Sequence, residues 1–144
     1  MLWDLARAMK ARMSESTALL DWVKTSGLTK PRIVIGYDQP RNARDWPFIA
    51  IVPLRAEFRV TVRPRPTVTA MGLVCGVRWE SSADDGEGGM AQVYRLQQIV
   101  IEEYICRPLE SLAHPYVARL AQLTDYELVH PNYQLEWVME FISN

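Results

Sequence analysis

Four arginines within one short stretch are the strongest chemical signal in this chain of 144 residues. Arg55, Arg59, Arg63 and Arg65 fall on alternate positions with Glu57 and Thr61, while Ala56, Phe58, Val60 and Val62 take the positions between them. A period of two describes a strand with one face on a core and the other in water. The pattern therefore predicts a single strand with a basic outer face. Guanidiniums arrayed this way bind phosphates, each adding salt-dependent affinity through counterion release. Readers of single-stranded nucleic acid interleave stacking aromatics on the same face, whereas Phe58 falls on the opposite one. Base reading is not expected, and three roles stay open: contact with a phosphate or DNA backbone, salt bridging to an acidic neighbouring chain, or a solvated strand edge.

The remaining reactive residue types lack the company that catalysis requires. His114 and His130 each precede a proline at a turn, and no nucleophile or carboxylate is patterned around either of them. Cys75 sits on the apolar side of a strand pattern, and Cys106 closes a helical run ahead of Arg107, which would lower its pKa slightly. Two cysteines far apart in apolar surroundings read as buried or inert thiols in a reducing compartment, not as a disulfide framework. Asp84, Asp85 and Glu87 lie in DDGEGG, which lacks the alternate oxygen ligands and terminal bidentate Glu of a calcium loop. Its glycines are not followed by the Lys-Ser/Thr of a phosphate cradle. No catalytic, metal-ligating or cofactor-binding residue is expected, and no enzymatic turnover. The acidic glycine segment reads instead as a solvated loop that orders on a partner, with Asp84, Asp85 and Glu87 as its contacts.

The element that must organise these groups is the helix predicted for residues 90–106, MAQVYRLQQIVIEEYIC, free of Pro and Gly. Met90, Val93, Leu96, Gln97, Val100, Ile101, Tyr104 and Ile105 recur at helical spacing and form one broad face. Upstream, Leu2, Leu5, Ala6, Met9 and Met13 form a helical stripe. Ser14 or Ser16 can cap a second run through Leu19, Leu20, Trp22 and Val23 that stops at Gly27; one bent helix and two helices both fit. The basic, amphipathic first turns suit a partner helix or membrane surface, but a core-facing helix is the simpler reading. Strands are predicted at RIVIGY (residues 32–37), at FIAIVPL (residues 48–54) with apolar residues on both faces, and over residues 68–80. In that last strand Gly72 and Gly76 leave room for a close approach. After Pro108 a strand over residues 116–129 leads by the turn at HPN into a final strand, in which Tyr133, Leu135, Trp137, Met139 and Phe141 alternate with polar residues.

This order predicts an α+β fold: one domain over residues 1–144, with residues 1–27 helical and residues 28–144 forming a twisted, mainly antiparallel sheet that carries the long helix. A chain of this length buries roughly 68–70% of its unfolded surface. No stretch approaches the roughly 20 apolar residues of a membrane span, so no membrane partner is expected. The net charge of −1 conceals a division. Residues 1–65 carry twelve Lys and Arg against six Asp and Glu, a surplus of six, while residues 66–144 carry four against eleven, a deficit of seven. If the halves present different surfaces, copies attract head to tail, the contact that closes rings or extends filaments.

The order of features resembles the small tail-terminator, or tail-completion, proteins of long-tailed bacteriophages and prophages. The resemblance covers most of the chain: the amphipathic helix over residues 19–24, RIVIGYDQP, WPFIAIV, the alternating Arg/Val strand, MAQVYRLQQIVIEEYI after an acidic glycine loop, and NYQLEWVMEFIS. It rests on a pattern of elements, without a diagnostic motif. The additional basic helix over residues 3–12 and the long region 55–80 depart from that pattern. The resemblance implies a structural minor tail protein of the virion, assembled in the bacterial cytoplasm as a ring, commonly a hexamer. Its implied partners are copies of itself, the tail tube protein and the head-neck connector. The ring would end tube polymerisation and contribute to head-tail joining, with DNA passing through its hole.

Overall fold

The structure, a computed structural model, describes residues 2–38, 40, 42–59, 65–81, 87–105, 109 and 116–142, and within these all side chains except those of residues 58, 59, 65–67, 116–119 and 121–129. Among the described residues the elements run α1 (Leu2–Ser14), α2 (Thr17–Ser26), β1 (Arg32–Ile35), a 3-10 turn (Ala43–Asp45), β2 (Phe48–Arg59), β3 (Arg65–Arg78), α3 (Glu87–Ile105), β4 (Tyr116–Val129) and β5 (Asn132–Ile142). The strands form one sheet in the order β1-β2-β3-β5-β4. The fold is α+β, with the N-terminal helices and the long helix on one face of a mainly antiparallel sheet.

Alternation decides which face is covered. Ile49 and Ile51 of β2, Met71, Leu73, Cys75 and Val77 of β3, and Tyr133, Leu135, Trp137, Met139 and Phe141 of β5 share one core with the buried stripes of the three helices. Those stripes are Leu5, Ala6, Met9 and Met13 of α1, Leu19 and Trp22 of α2, and Val93, Leu96, Val100 and Tyr104 of α3. Each fully buried side chain of this size contributes about 1.5–3 kcal/mol by leaving water. The opposite face carries a smaller cluster of Trp46, Phe48, Ala50 and Val74 with Val34 packed on it, which explains why β2 begins apolar on both faces, while Leu54 further along is exposed.

The N-terminal segment is two helices. Ser16 caps α2, its side-chain oxygen accepting from the Leu19 N–H at 3.2 Å. At the other end Gly27 adopts φ 74°, a left-handed geometry that costs a residue without Cβ nothing, and donates its N–H to the Val23 carbonyl. Polar bonds then tie the helices together: the Ser16 hydroxyl donates to Glu103 Oε1 at 3.0 Å, Arg12 Nη1 to the Glu103 carbonyl at 3.2 Å, and the Tyr104 hydroxyl to the Met9 carbonyl at 2.7 Å.

Several expectations from the sequence need correction. β1 ends at Ile35, where Gly36 turns the chain out at φ 92°, and it pairs with β2 in parallel, not antiparallel, fashion. The run over residues 55–65 is not one strand. β2 ends at Arg59, β3 begins at Arg65, and these two arginines face each other as ladder partners across a hairpin. Register shifts between Pro53 and Arg55 and between Glu57 and Phe58 also break the strict alternation that the sequence suggested. Pro53 is accommodated because Ile51 accepts from the Gly36 N–H, so position 53 turns its missing donor toward β1 one step beyond the last β1 pair. α3 starts at Glu87, so Glu87, Gly88 and Gly89 belong to its first turn and not to a loop. Gly89 is buried beneath the Tyr133 ring, which lies 2.3 Å from where a Cβ would stand, and the helix seats closely on β5 for that reason. Of the stripe assigned to this helix, Met90 and Ile105 are exposed, as is Leu20 of α2.

The room anticipated at Gly76 is occupied by the rings of Trp46 and Phe48, each 2.4 Å from the position of an added Cβ, whereas at Gly72 the nearest atom is the tip of Leu54 at 3.4 Å. Gly76→Ala is expected to lower stability by about 1–3 kcal/mol through overpacking, while Gly72→Ala stays within about 0.5 kcal/mol of the parent. Thermal unfolding of the two variants checks the contrast, and equal costs would contradict the packing described.

Candidate interaction surfaces

Of the four arginines, the structure describes the side chain of Arg55 and the ladder positions of Arg59 and Arg65; Arg63 lies outside the described residues. Arg55, Ala70 and Glu140 form a row across β2, β3 and β5. Ala70 is small enough for the guanidinium to pass over it, and Arg55 Nη2 meets Glu140 Oε1 at 3.0 Å. Glu57 Oε1 lies 3.7 Å from Arg55 Nη1. The Glu140 side chain is only 8% exposed, against 58% for Arg55, so the arginine acts first as counter-ion to a nearly buried carboxylate. A phosphate would have to displace that partner. Arg55 is therefore not the free cation that a continuous basic face would supply.

Asp84 and Asp85 lie outside the described residues, while Glu87 is exposed in the first turn of α3, where a carboxylate interacts favourably with the helix dipole. The acid segment is thus divided between a helix start and the residues preceding it. Glu80, just upstream, pairs with Arg78 at 2.6 Å.

The sheet order sets β1 and β2, from the basic first half of the sequence, at one end and β5 and β4, from the acidic second half, at the other, with β3 between them. At the β1 end a groove of about 610 Å³ lies between α1 and β1, lined by Trp3, Arg7, Lys10, Ser14, Val34 and Ile35 among others. Trp3, Arg7, Lys10 and Ser14 follow helical spacing on the side of α1 away from its core stripe. Sequence reasoning assigned this helix to the core and did not single out its second face. The available signal was Trp3, a large aromatic off the apolar stripe, which is 58% exposed. A second concavity of about 250 Å³, lined by residues including Arg32, Tyr37, Asn42, Asp45 and Phe48, contains an internal Arg32–Asp45 bridge of 3.0 Å.

Among the described residues no group of three or more His, Cys, Asp or Glu side chains is placed to hold a metal ion, and no helix is long and apolar enough to cross a membrane. His130 is exposed at the turn before β5, while His114 and Cys106 fall outside the described residues. Burial pushes the Cys75 thiol far above its ordinary range, a backbone hydrogen bond from Leu135 offsetting only part of the effect. Burial likewise raises Tyr104, with Arg12 pulling it down and Glu103 pushing it up. Cys75 is accordingly held as a neutral, unreactive thiol. No protein-family model matches the chain, and no curated protein matches it.

Two expected outcomes follow from these environments. Cys75 and Tyr104 have folded-state pKa values above their ordinary values of 9.0 and 10.0. Their contribution to stability is complete below those values and declines as pH rises past them, because the unfolded chain then releases protons that the native state retains. The urea midpoint should fall from about pH 9 upward, and less steeply in the Cys75→Ala/Tyr104→Phe variant. Separately, Arg55→Ala is expected to cost about 1 kcal/mol, between the exposed and buried ion-pair limits. The same substitution should leave retention on immobilised DNA at low salt unchanged. A marked drop in retention would show that the guanidinium is available to phosphate.

Proposed function

We propose that the chain is a structural protein of a phage-type tail, one that self-associates into a ring at the head-proximal end of the tail tube. There it ends tube growth and contributes to joining head and tail. In this reading its product is an assembly, with neighbouring copies, the tube protein and the connector as partners. The observation that carries the reading is the order of the sheet, which sets the strands of the basic half of the sequence, β1 and β2, at one end and those of the acidic half, β5 and β4, at the other. Such a unit attracts its own copies in a heterologous, head-to-tail sense, and that geometry generates closed rings whenever the rotation between neighbours closes. Complementary potentials also bring partners together faster and suppress like-to-like contacts. The resemblance of the element order to tail-terminator proteins, from RIVIGYDQP through NYQLEWVMEFIS, names the assembly that such a unit would serve.

A role in binding nucleic acid through the arginines has less support, because Arg55 is engaged by Glu140 and Glu57. Electron microscopy of the purified chain, alone and mixed with growing tail tubes, tests the proposal. The expected result is annular particles, or tubes of fixed length bearing an extra terminal disc. Association should also weaken when ionic strength rises from about 0.05 M to about 0.5 M, since the screening length shortens severalfold. A chain that stays solitary beside tubes which continue to elongate would overturn the reading.

A further inference from the structure

We infer that the groove between α1 and β1 receives the outer ridge of α3 from a second copy of the chain, with the last turns of that helix set against Trp3, Arg7 and Lys10. The contact presupposes the self-assembly proposed above and gives it two surfaces.

The ridge is a second apolar stripe on α3. Met90, Tyr94, Ile101 and Ile105 recur at helical spacing along one line, about 100° around the helix from the core stripe of Val93, Leu96, Val100 and Tyr104. Met90, Tyr94 and Ile105 are 39%, 40% and 45% exposed, and they are three of the seven large apolar side chains exposed among the described residues. Single exposed side chains of this kind are ordinary, but three on one line form a patch of the sort that a partner covers. The opposite flank of α3 faces α2: there Arg95 Nη2 reaches Thr25 Oγ1 at 3.5 Å, and Glu103 Oε1 accepts from the Ser16 hydroxyl. The ridge therefore lies on the β4 side of the helix, where Ile101 and Leu120 of β4 both pack on the margin of the core.

The groove stands at the other end of the sheet, beside β1. Val34 and Ile35 give it an apolar base, and Trp3 stands more than half exposed on its α1 wall. Arg7 and Lys10 lie one helical turn apart on the same wall, both exposed, and among the described residues neither forms an ion pair.

Ridge and groove match in charge as well as in apolar surface. α3 has no basic residue in its last turn, and its negative dipole end is met on the α1 flank alone, by Arg12 at the Glu103 carbonyl. On the ridge side that end adds to Glu102, an exposed carboxylate beside Ile101 and Ile105. Docked in the groove, the two isoleucines cover Trp3, Val34 and Ile35 while Glu102 reaches Arg7 and Lys10, an apolar centre with a charged rim. Because ridge and groove belong to opposite ends of one layer, no chain can fill its own groove, and the contact runs head to tail.

Two variants of the full chain and their mixture test this. Trp3→Ala/Arg7→Ala/Lys10→Ala empties the groove, and Glu102→Lys/Ile105→Lys spoils the ridge while keeping charges that suit a helix C-terminus. Each alone is expected to raise the self-dissociation constant roughly a hundredfold, as loss of a central anchor and its charges does. Mixed in equal amounts, the two should form a 1:1 complex and nothing larger, since one intact groove and one intact ridge remain between them. Light scattering over a concentration series reads the masses, and circular dichroism verifies that each variant is folded. A parent chain that associates while either variant associates equally well overturns the assignment and leaves self-assembly standing. Variants that both dissociate but stay monomeric when mixed overturn the pairing of groove with ridge. A parent chain that is monomeric alone and beside tail tubes overturns this contact and self-assembly together.

Discussion

The register between β3 and β5 is the constraint on which the rest of the structure depends. Their ladder runs unbroken from Val68–Ile142 to Arg78–Asn132, whereas the flanking β2–β3 and β4–β5 ladders both contain shifts. The reason lies in what the central pair carries. Met71, Leu73, Cys75 and Val77 on one strand and Tyr133 to Phe141 at alternate positions on the other form the floor on which α3 rests. With a side-chain period of two, a slip of one residue would turn that whole floor to solvent and put Gln134, Glu136 and Glu140 under the helix. Gly89 fixes the match further, since the helix start is pressed against Tyr133. β2 can shift register past Pro53 because Ile49 and Ile51, its described residues in that core, both precede the shifts.

Opposite the helices, the outer face is kept in order by small residues and a few polar pairings. Gly76 makes room for the Trp46 and Phe48 rings, which meet edge to face with centroids 5.1 Å apart. Ala70 leaves a passage for the Arg55–Glu140 bridge. Gln134, nearly buried, donates from Nε2 to the Tyr37 hydroxyl at 2.7 Å and so pins the chain leaving β1 over the sheet. These contacts bind neighbouring strands to one another across the outer face.

The sequence was most readable where one periodicity governed a whole element. The core positions of β5 and of α1, the cap at Ser16 and the stop at Gly27 all follow from spacing and residue type. It was least readable where two periodicities ran together. The arginines at 55, 59, 63 and 65 keep a period of two straight across a hairpin, so nothing in their spacing marks the reversal that the ladder pairing of Arg59 with Arg65 reveals. Glu87, Gly88 and Gly89 have poor helix propensity as a group, yet packing against Tyr133 draws them into α3. The parallel pairing of β1 was hidden because a short connection with a single 3-10 turn replaces the usual crossover helix. Of the candidate surfaces, the charge division was legible from residue counts alone. The groove beside β1 was not, because it needs the edge position of a strand whose neighbours only the fold defines.

The position of β5 has a consequence for how the molecule is made. It is the last strand in chain order but sits inside the sheet between β3 and β4. While the polypeptide is being synthesised, β3 and β4 therefore have no template for joining, and the cysteine- and glycine-bearing edge of β3 waits unpaired until the residues from 132 onward leave the ribosome. Productive folding is thus held back until residues 132–142 have been synthesised, and a nascent chain stopped within β5 carries open sheet edges on β3 and β4, a substrate for chaperones or proteases rather than a shortened but usable subunit.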